Sequence, residues 1–392
     1  MTKFNPPEHI MQVLRQLNEC GHEAYLVGGC VRDAVIGRTV NDWDIATSAT
    51  PVDVGLIFPK TVLTGEKFGT VTVVLPECPV EVTTFRSESE YQDGRRPKNV
   101  EFVSSLEEDL SRRDFTMNAM AVSLTGELID IFHGIEDIEN RLVRCVGGPN
   151  KRFAEDALRM FRVFRFSAQL DFAIEKETMS AIYANVGRAQ LISSERIRAE
   201  LEKTLVSRKP EVAGEILKVG LLAHFTGAPG YTPEGLERLE LLPAEPEIRW
   251  CAFCSVLLRG GLIKSESEFL QNMRLDGKTV RTCARALSIT DFPDDRAGLK
   301  RLFSVYGIDA VRCAAAVYQL HNNVDVLARC SEVIRSGECF SLNKLAVTGN
   351  DLISLGFKPG YELGKRLDAI LSHVLDYPED NNREHLLSLA KQ

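Results

Sequence analysis

Ile10, Val13, Leu14 and Leu17 recur at the spacing of one helical face, and Gly21 sits in the turn from Glu19 to His22, so the pattern predicts an amphipathic helix near the start of the chain. A strand over Tyr25–Val27 then runs into Gly28-Gly29, followed by a short helix over Val31–Ile36 ended by Gly37. Trp43–Ala46 reads as another strand. Between Val62 and Phe85 lie three β-branched apolar runs, VLT, GTVTVVL and VEVTTF, separated by turn residues, which predict a small mixed sheet with helices.

The polar stretch RSESEYQDGRRP, residues 86–97, reads as an exposed mobile loop that includes Arg86, Tyr91, Arg95 and Arg96. After Leu106 a helix is expected to carry RRDFTMNAMAV. ELIDIF then suggests a strand pair and GIEDIENR a closing turn. From Lys151 onward the strand signal largely disappears and helical patterns follow one another: RFAEDALRMFRVFRFSAQL, SERIRAELEKTLVS, PEVAGEILKVGLLAHF and IRWCAFCSVLLR. Gly227–Pro246 concentrates turn residues and reads as a linker region, and the last fifty residues read as a helical end module with glycines at helix caps. The expected class is therefore α+β, with a small sheet-containing front part and an all-α remainder.

Composition narrows the field. A chain of 392 residues with 44% hydrophobic content supports a sizeable core and more than one module. No charge-free apolar run reaches the roughly 18 residues of a membrane span, and Met1–Cys20 lacks a secretory pattern, so a cytoplasmic protein with no membrane association is expected. The ten cysteines are scattered and read as free thiols. Cys251 and Cys254 form the one CxxC, open to a buried helix face or to redox or metal chemistry. A net charge of -8 argues against indiscriminate coating of nucleic acid, yet Lys151–Pro210 holds twelve Lys/Arg against eight Asp/Glu and marks a local basic region.

Candidate chemistry sits at three places. On a strand, Asp42 and Asp44 would share a face, and paired carboxylates are what Mg²⁺ prefers when it must keep positions free for phosphates; exposed turn aspartates are the plainer alternative. Glu81 in PVEVTTF would add a third carboxylate from a neighbouring strand, or simply face solvent at an edge. Gly28-Gly29, ahead of Arg32 and Asp33, lets backbone N–H groups approach an anion, although a tight structural turn is the usual use of such a pair. Both GxxxxGK[ST] and GxGxxG are absent, which counts against Walker-type and Rossmann sites. Asp156, Arg159, Arg162 and Arg165 recur every third residue on an expected helix, as a solvated ion-pair face or as a base-reading and phosphate-holding row.

Together and in this order, LVGGCVRD, NDWDIAT, RRDFTMNAMA, RFAEDALRMFRVFRF and SERIRAELEK resemble the five motifs of the nucleotidyltransferase superfamily that holds poly(A) polymerases and class II tRNA nucleotidyltransferases, over roughly residues 25–205. The resemblance implies a catalytic head (1–144), a neck that recognises the nucleotide base (145–210), a helical body (211–310) and a helical tail that binds tRNA (311–392). It implies two Mg²⁺ ions on Asp42 and Asp44 with Glu81 as the candidate third carboxylate, and CTP and ATP as substrates. It also implies that Gly29 and Arg32 cradle the triphosphate and that Arg113 and Asp114 contact the incoming nucleotide. Asp156 and Arg159 would pair with its base, and Arg162 and Arg165 would support triphosphate or template. Glu195, Arg196 and Glu200 would brace the neck. The partner it implies is the tRNA acceptor arm; the sequence leaves a homodimer open.

Within that family, enzymes that add only CC lack the loop between the metal strands and RRD, whereas this chain keeps one, which favours CCA addition or A addition alone. Poly(A) polymerases tend to carry a more basic C-terminal region than YPEDNNREHLLSLAKQ. A non-catalytic RNA-binding module is disfavoured by the intact aspartate pair.

Overall fold

The computed structural model describes residues 5–65, 69–92, 96–103, 105–227 and 230–391, and the chain divides into two compact units, 1–224 and 225–392. The first unit opens with α1 (Glu8–Glu19), β1 (Ala24–Val27), α2 (Gly29–Ile36), β2 (Asp44–Thr47), α3 (Pro51–Ile57), β3 (Thr61–Gly65), β4 (Thr70–Val74), β5 (Pro79–Thr84), β6 (Arg86–Gln92) and β7 (Arg96–Phe102). It continues through α4 (Leu106–Ser111), β8 (Ala121–Ser123), β9 (Leu128–Ile129), α5 (Gly134–Glu139), β10 (Leu142–Val143), α6 (Pro149–Glu155), α7 (Leu158–Leu170), β11 (Ala173–Ile174), α8 (Lys176–Asn185), α9 (Ser194–Leu205) and α10 (Ala213–Val219). The unit boundary falls inside α11 (Ala223–Thr226).

Seven strands form one mixed sheet in the order β3-β4-β5-β2-β1-β8-β9, with β2 and β5 parallel and the other neighbours antiparallel. Alternation decides its faces. Val80, Val82 and Thr84 of β5 are buried while Glu81 is exposed, as a period of two requires. On one face Val31, Ile45, Val71, Val80 and Val82 pack with Ile10, Val13, Leu14 and Leu17 of α1, the residues whose spacing predicted that helix. On the other, Val27, Ala46, Phe85 and Ala121 meet Leu106 and Leu110 of α4.

Four expectations need correction. RSESEYQDGRRP is an antiparallel hairpin rather than a loop: β6 pairs β7 from Arg86↔Phe102 to Gln92↔Arg96, so Arg86, Tyr91 and Arg96 lie on strands, and Arg95 lies outside the described residues. The Asp93-Gly94 pair in the sequence is a hairpin signal. Asp42 precedes β2 instead of lying on it, because in register Asp42 would face Pro79, which has no N–H to extend the β2–β5 ladder beyond Asp44↔Glu81.

RRDFTMNA is not helical either. α4 ends at Ser111, and Thr116 N–H donates to Arg144 O while Val146 N–H donates to Asp114 O, drawing Asp114–Phe115 into a bridge followed by a 3-10 turn over Thr116–Asn118. RFAEDALRMFRVFRF is two helices, because Asp156 is extended (φ -142°, ψ 105°) and its Oδ1 accepts the N–H of Leu158 at 3.0 Å, a side-chain cap that competes with helix continuation. β10 and β11 pair in parallel over two residues.

The second unit is helical: α12 (Pro246–Arg259), α13 (Glu266–Asn272), α14 (Gly277–Leu287), α15 (Arg296–Tyr306), α16 (Ile308–Asn322), α17 (Val326–Arg335), α18 (Gly349–Ser354), α19 (Tyr361–Asp376) and α20 (Arg383–Ala390). Its centre is α12, whose Trp250, Cys251, Phe253, Cys254 and Val256 are buried and which packs against α14 and α16. The CxxC is thus a buried helix face. Burial pushes both thiols well above the usual range, so they remain protonated. All ten cysteines are free, and no described helix is long and apolar enough to cross a membrane.

Candidate active site

A cleft of about 370 Å³ in the first unit gathers residues from β1, β2, β4, β5, β6, α7 and α9 and from the segment that follows α4. Asp44 at the start of β2 and Glu81 on β5 form its carboxylate end, and the parallel register sets them side by side. Although Asp44 is open to solvent, the protein packed around its carboxyl thins its hydration and raises its pKa; the charges of Glu81 and Asp42 add to that, and Arg113 works against it. Asp42 lines an adjoining cleft together with Asp44 and Glu81. Asp44 is open to solvent at the cleft, and its oxygens with those of Glu81 and Asp42, offset by Arg113 alone in the immediate electrostatics of Asp44, make an all-oxygen donor set of the kind that suits Mg²⁺.

Arg112, Arg113, Arg159, Arg162 and Arg196 form the cationic end, and Arg86 at the base of the hairpin joins them. Their positions are fixed by a set of carboxylates. Asp109, fully buried on α4, accepts from Arg112 Nε at 3.0 Å and from Arg113 Nη2 at 3.0 Å. Burial alone would raise the Asp109 pKa, but the two guanidiniums hold it below the usual carboxylate range. Asp109 was missed in the sequence, although an acid three and four residues ahead of two arginines at a helix end is a readable pairing signal. The Nε of Arg113 has no hydrogen-bond partner among the described residues. Its Nη1 would lie 2.9 Å from a Cβ at Gly28, so that glycine, at φ +78°, permits the arginine's approach as well as the turn.

Asp114 is the hub of a second network. Its Oδ2 accepts from Arg162 Nε at 2.7 Å and its Oδ1 from Asn118 Nδ2 at 3.0 Å, while Asn118 Oδ1 accepts from Arg32 Nη1 at 2.7 Å. Arg32 also donates to Asp33. Burial opposes ionisation of Asp114, but Arg162 and Asn118, with help from Arg159, hold its carboxyl far below the usual range. Asn118 and Phe166 were not singled out from sequence. The Phe166 ring lies under the guanidiniums of Arg32, Arg162 and Arg165 at 5.0, 5.4 and 4.2 Å, within cation–π range.

At the neck, Asp156 and Arg159 share the cleft but do not pair with each other. Asp156 Oδ2 accepts from Arg196 Nη2 at 2.7 Å, and Arg159 Nη1 donates to Glu155 at 2.6 Å while its Nη2 donates to Arg112 O at 3.0 Å. Arg196 therefore lines the cleft beside Asp156. Arg165 lies outside the cleft, its Nε 2.9 Å from Glu200 Oε2, both side chains buried; the contact is a charge pair without hydrogen-bond alignment. Burial, with Arg162 nearby, lowers the Arg165 pKa to about 10, against the pull of Glu200. Gly29 is the first residue of α2, Glu195 is exposed in the first turn of α9, and neither Gly29, Arg32, Glu195 nor Glu200 lines the cleft.

Comparison with known proteins places this geometry. The family model for the poly A polymerase head domain matches residues 24–144, that for the probable RNA and SrmB-binding site of polymerase A matches 171–232, and that for tRNA nucleotidyltransferase domain 2 (putative) matches 246–390. The CCA-adding enzyme of Geobacillus kaustophilus is 40% identical, with 98% of this chain and 96% of that protein aligned. That of Enterococcus faecalis is 40% identical over 97% and 94%. The Bacillus stearothermophilus CCA-adding enzyme in complex with CTP superposes with a TM-score of 0.79 at 36% identity, covering 99% of this chain and 98% of that one. With relatives this similar over nearly the whole length, the chain belongs to the class II tRNA nucleotidyltransferase family, alongside the bacterial CCA-adding enzymes.

Proposed function

We propose that this protein adds CCA to the 3′ end of tRNA, in the cytoplasm, from CTP and ATP and without a nucleic-acid template, releasing pyrophosphate. The observation that carries the reading is the single cleft whose one end is carboxylate and whose other end is guanidinium. Asp42, Asp44 and Glu81 would hold Mg²⁺, which supplies Lewis-acid activation of the tRNA 3′ hydroxyl and charge neutralisation on the triphosphate.

The protein's own groups do the rest. Arg113, lining the cleft beside Asp44, is placed to meet a phosphate or ribose oxygen. Asp109 keeps it extended toward Asp44. Asp156 and Arg159 are the acceptor and donor available to a base edge, with Arg196 holding Asp156 in position. Cytosine offers an amino donor beside ring acceptors and uracil reverses the group at position 4, so a carboxylate–guanidinium pair can tell them apart. The Asp114–Arg162 pair holds the neck helix α7 against the RRD segment, so base reading and phosphate binding are mechanically joined. The head, neck, body and tail boundaries at 144, 210 and 310 are part of this proposal, as is the use of the last two modules for the tRNA acceptor arm.

The test supplies tRNAs ending before CCA, after C and after CC with CTP, ATP or both in Mg²⁺, and reads product length. Completion to CCA on the shortest substrate supports the proposal. Extension only from CC would instead mean an A-adding enzyme, and long A tails on any RNA a poly(A) polymerase.

A further inference from the structure

Close to the end of the second unit, three donor side chains converge. His373 is in the last turn of α19, Asp380 in the 3-10 turn Pro378–Asp380, and His385 in the first turn of α20. One ligand atom from each lies within 4.8 Å of the others. His373 Nε2 is 2.6 Å from Asp380 Oδ2 and His385 Nε2 is 3.5 Å from the same oxygen. The two imidazoles stand nearly parallel, 19° apart, with centroids 6.0 Å apart.

An ordinary His–Asp pair needs one imidazole. Here a second is brought to the same carboxylate oxygen, and its backbone is fixed there, since His385 N–H donates to Asn382 Oδ1, the N-cap of α20. His373 is steadied by Tyr377, whose ring centroid is 4.9 Å from its own. Arg383, two residues before His385 in the chain, has its charge offset by an ion pair with Asp351. All three ligands remain partly open to solvent, at 28, 27 and 46% side-chain exposure, so an ion can enter and keep a water as its fourth ligand.

We propose that His373, Asp380 and His385 form a binding site for a borderline divalent transition ion of the Zn²⁺ class, separate in chemistry from the all-oxygen carboxylate site of the head. Two imidazole nitrogens and one carboxylate oxygen suit Zn²⁺, Co²⁺ or Ni²⁺, whereas Mg²⁺ prefers oxygen alone. The ion ties α20, an eight-residue helix with only Leu386 and Ala390 buried, to the end of α19. This does not depend on the proposed reaction.

Co²⁺ titrated into the full-length chain in millimolar Mg²⁺ should give one equivalent with visible d–d absorption that Zn²⁺ displaces. His385→Ala, at the most exposed ligand, should weaken that binding by more than about 100-fold, since even outer-shell partners of a metal site are worth about 10- to 100-fold. Asp380→Asn should do the same, and Asp44→Asn should leave it intact. Absence of a Co²⁺ band, or a band unchanged in His385→Ala, would overturn the assignment, as would its loss in Asp44→Asn.

Discussion

Glu200→Ala tests whether Arg165 is held as a structural cation instead of a nucleotide contact. The pair is 2.9 Å apart with side chains 9 and 8% exposed, so deleting the carboxylate leaves a guanidinium in a poorly solvated place. Breaking a buried pair costs about 3–5 kcal/mol, and the missing hydrogen-bond alignment argues for the lower end, about 3 kcal/mol. For a unit of this size, at about 2–4 °C per kcal/mol, the transition should fall by roughly 6–12 °C. The chain has two tryptophans, Trp43 packed against the sheet core of the first unit and Trp250 buried in the second, so a Trp250→Phe background leaves Trp43 fluorescence reporting the first unit alone. Replacing both partners with apolar residues, Arg165→Met with Glu200→Leu, should recover most of the loss, because no charge is then left buried. A Glu200→Ala transition within about 0.5 kcal/mol of the parent, or an Arg165→Met variant that changes only the KM for nucleotide, would refute the assignment.

Other outcomes are expected at the cleft. Asp42→Ala and Asp44→Ala should each reduce incorporation by about 10³-fold or more with folding retained, since metal-borne stabilisation is worth several kcal/mol; substantial surviving turnover would remove them from the metal site. Arg196→Ala should free Asp156 and lower discrimination of CTP and ATP against UTP and GTP about tenfold, given about 1–3 kcal/mol per base-reading pair; unchanged selectivity in single-nucleotide competition would exclude Arg196 from base reading. Gly28→Ala should raise the KM for nucleotide, because a Cβ would lie 2.9 Å from Arg113 Nη1 and positive φ adds about 1–2 kcal/mol of strain. Wild-type kinetics in Gly28→Ala would show that Arg113 does not need that space. Asp114 and Asp109 both have depressed pKa values, so their contribution to stability is present above the unfolded value of about 3.9 and is lost as pH falls toward their folded values. The denaturant midpoint of the Trp43 transition should therefore drop between pH 5 and 3, and drop less steeply in Asp114→Asn.

What could be read from sequence follows from which interactions are local. The α1 face and the alternation of β5 are local periodicities, and both appear as expected. The helix break at Asp156 was hidden because the apolar pattern runs through it: Phe153, Ala157, Phe161 and Phe164 are all buried, so periodicity signals one helix where a side-chain cap has made two. The adjacency of Asp44 and Glu81 is a matter of strand register across a separation of 37 residues, which no spacing rule supplies. The chain from Arg32 through Asn118 and Asp114 to Arg162 joins three motifs that are distant in sequence, and its existence could be learned only from the fold.

The row Arg159, Arg162 and Arg165 shows how an apparent repeat becomes three separate tasks. Each step of three residues on an α-helix turns about 300°, about 60° short of a full turn, so successive arginines leave α7 in different directions. Arg159 reaches Glu155 and the carbonyl of Arg112, Arg162 reaches Asp114, and Arg165 reaches Glu200 on α9. The first two line the cleft and the third fastens α7 to α9. A row at four-residue spacing would drift by only about 40° per step and keep its arginines nearer one face, which would crowd like charges together and leave α9 without its anchor. The same drift lets Phe166 sit beneath Arg162 and Arg165 of its own helix and Arg32 of α2, so that one aromatic face ties α7 to α2 behind the cleft.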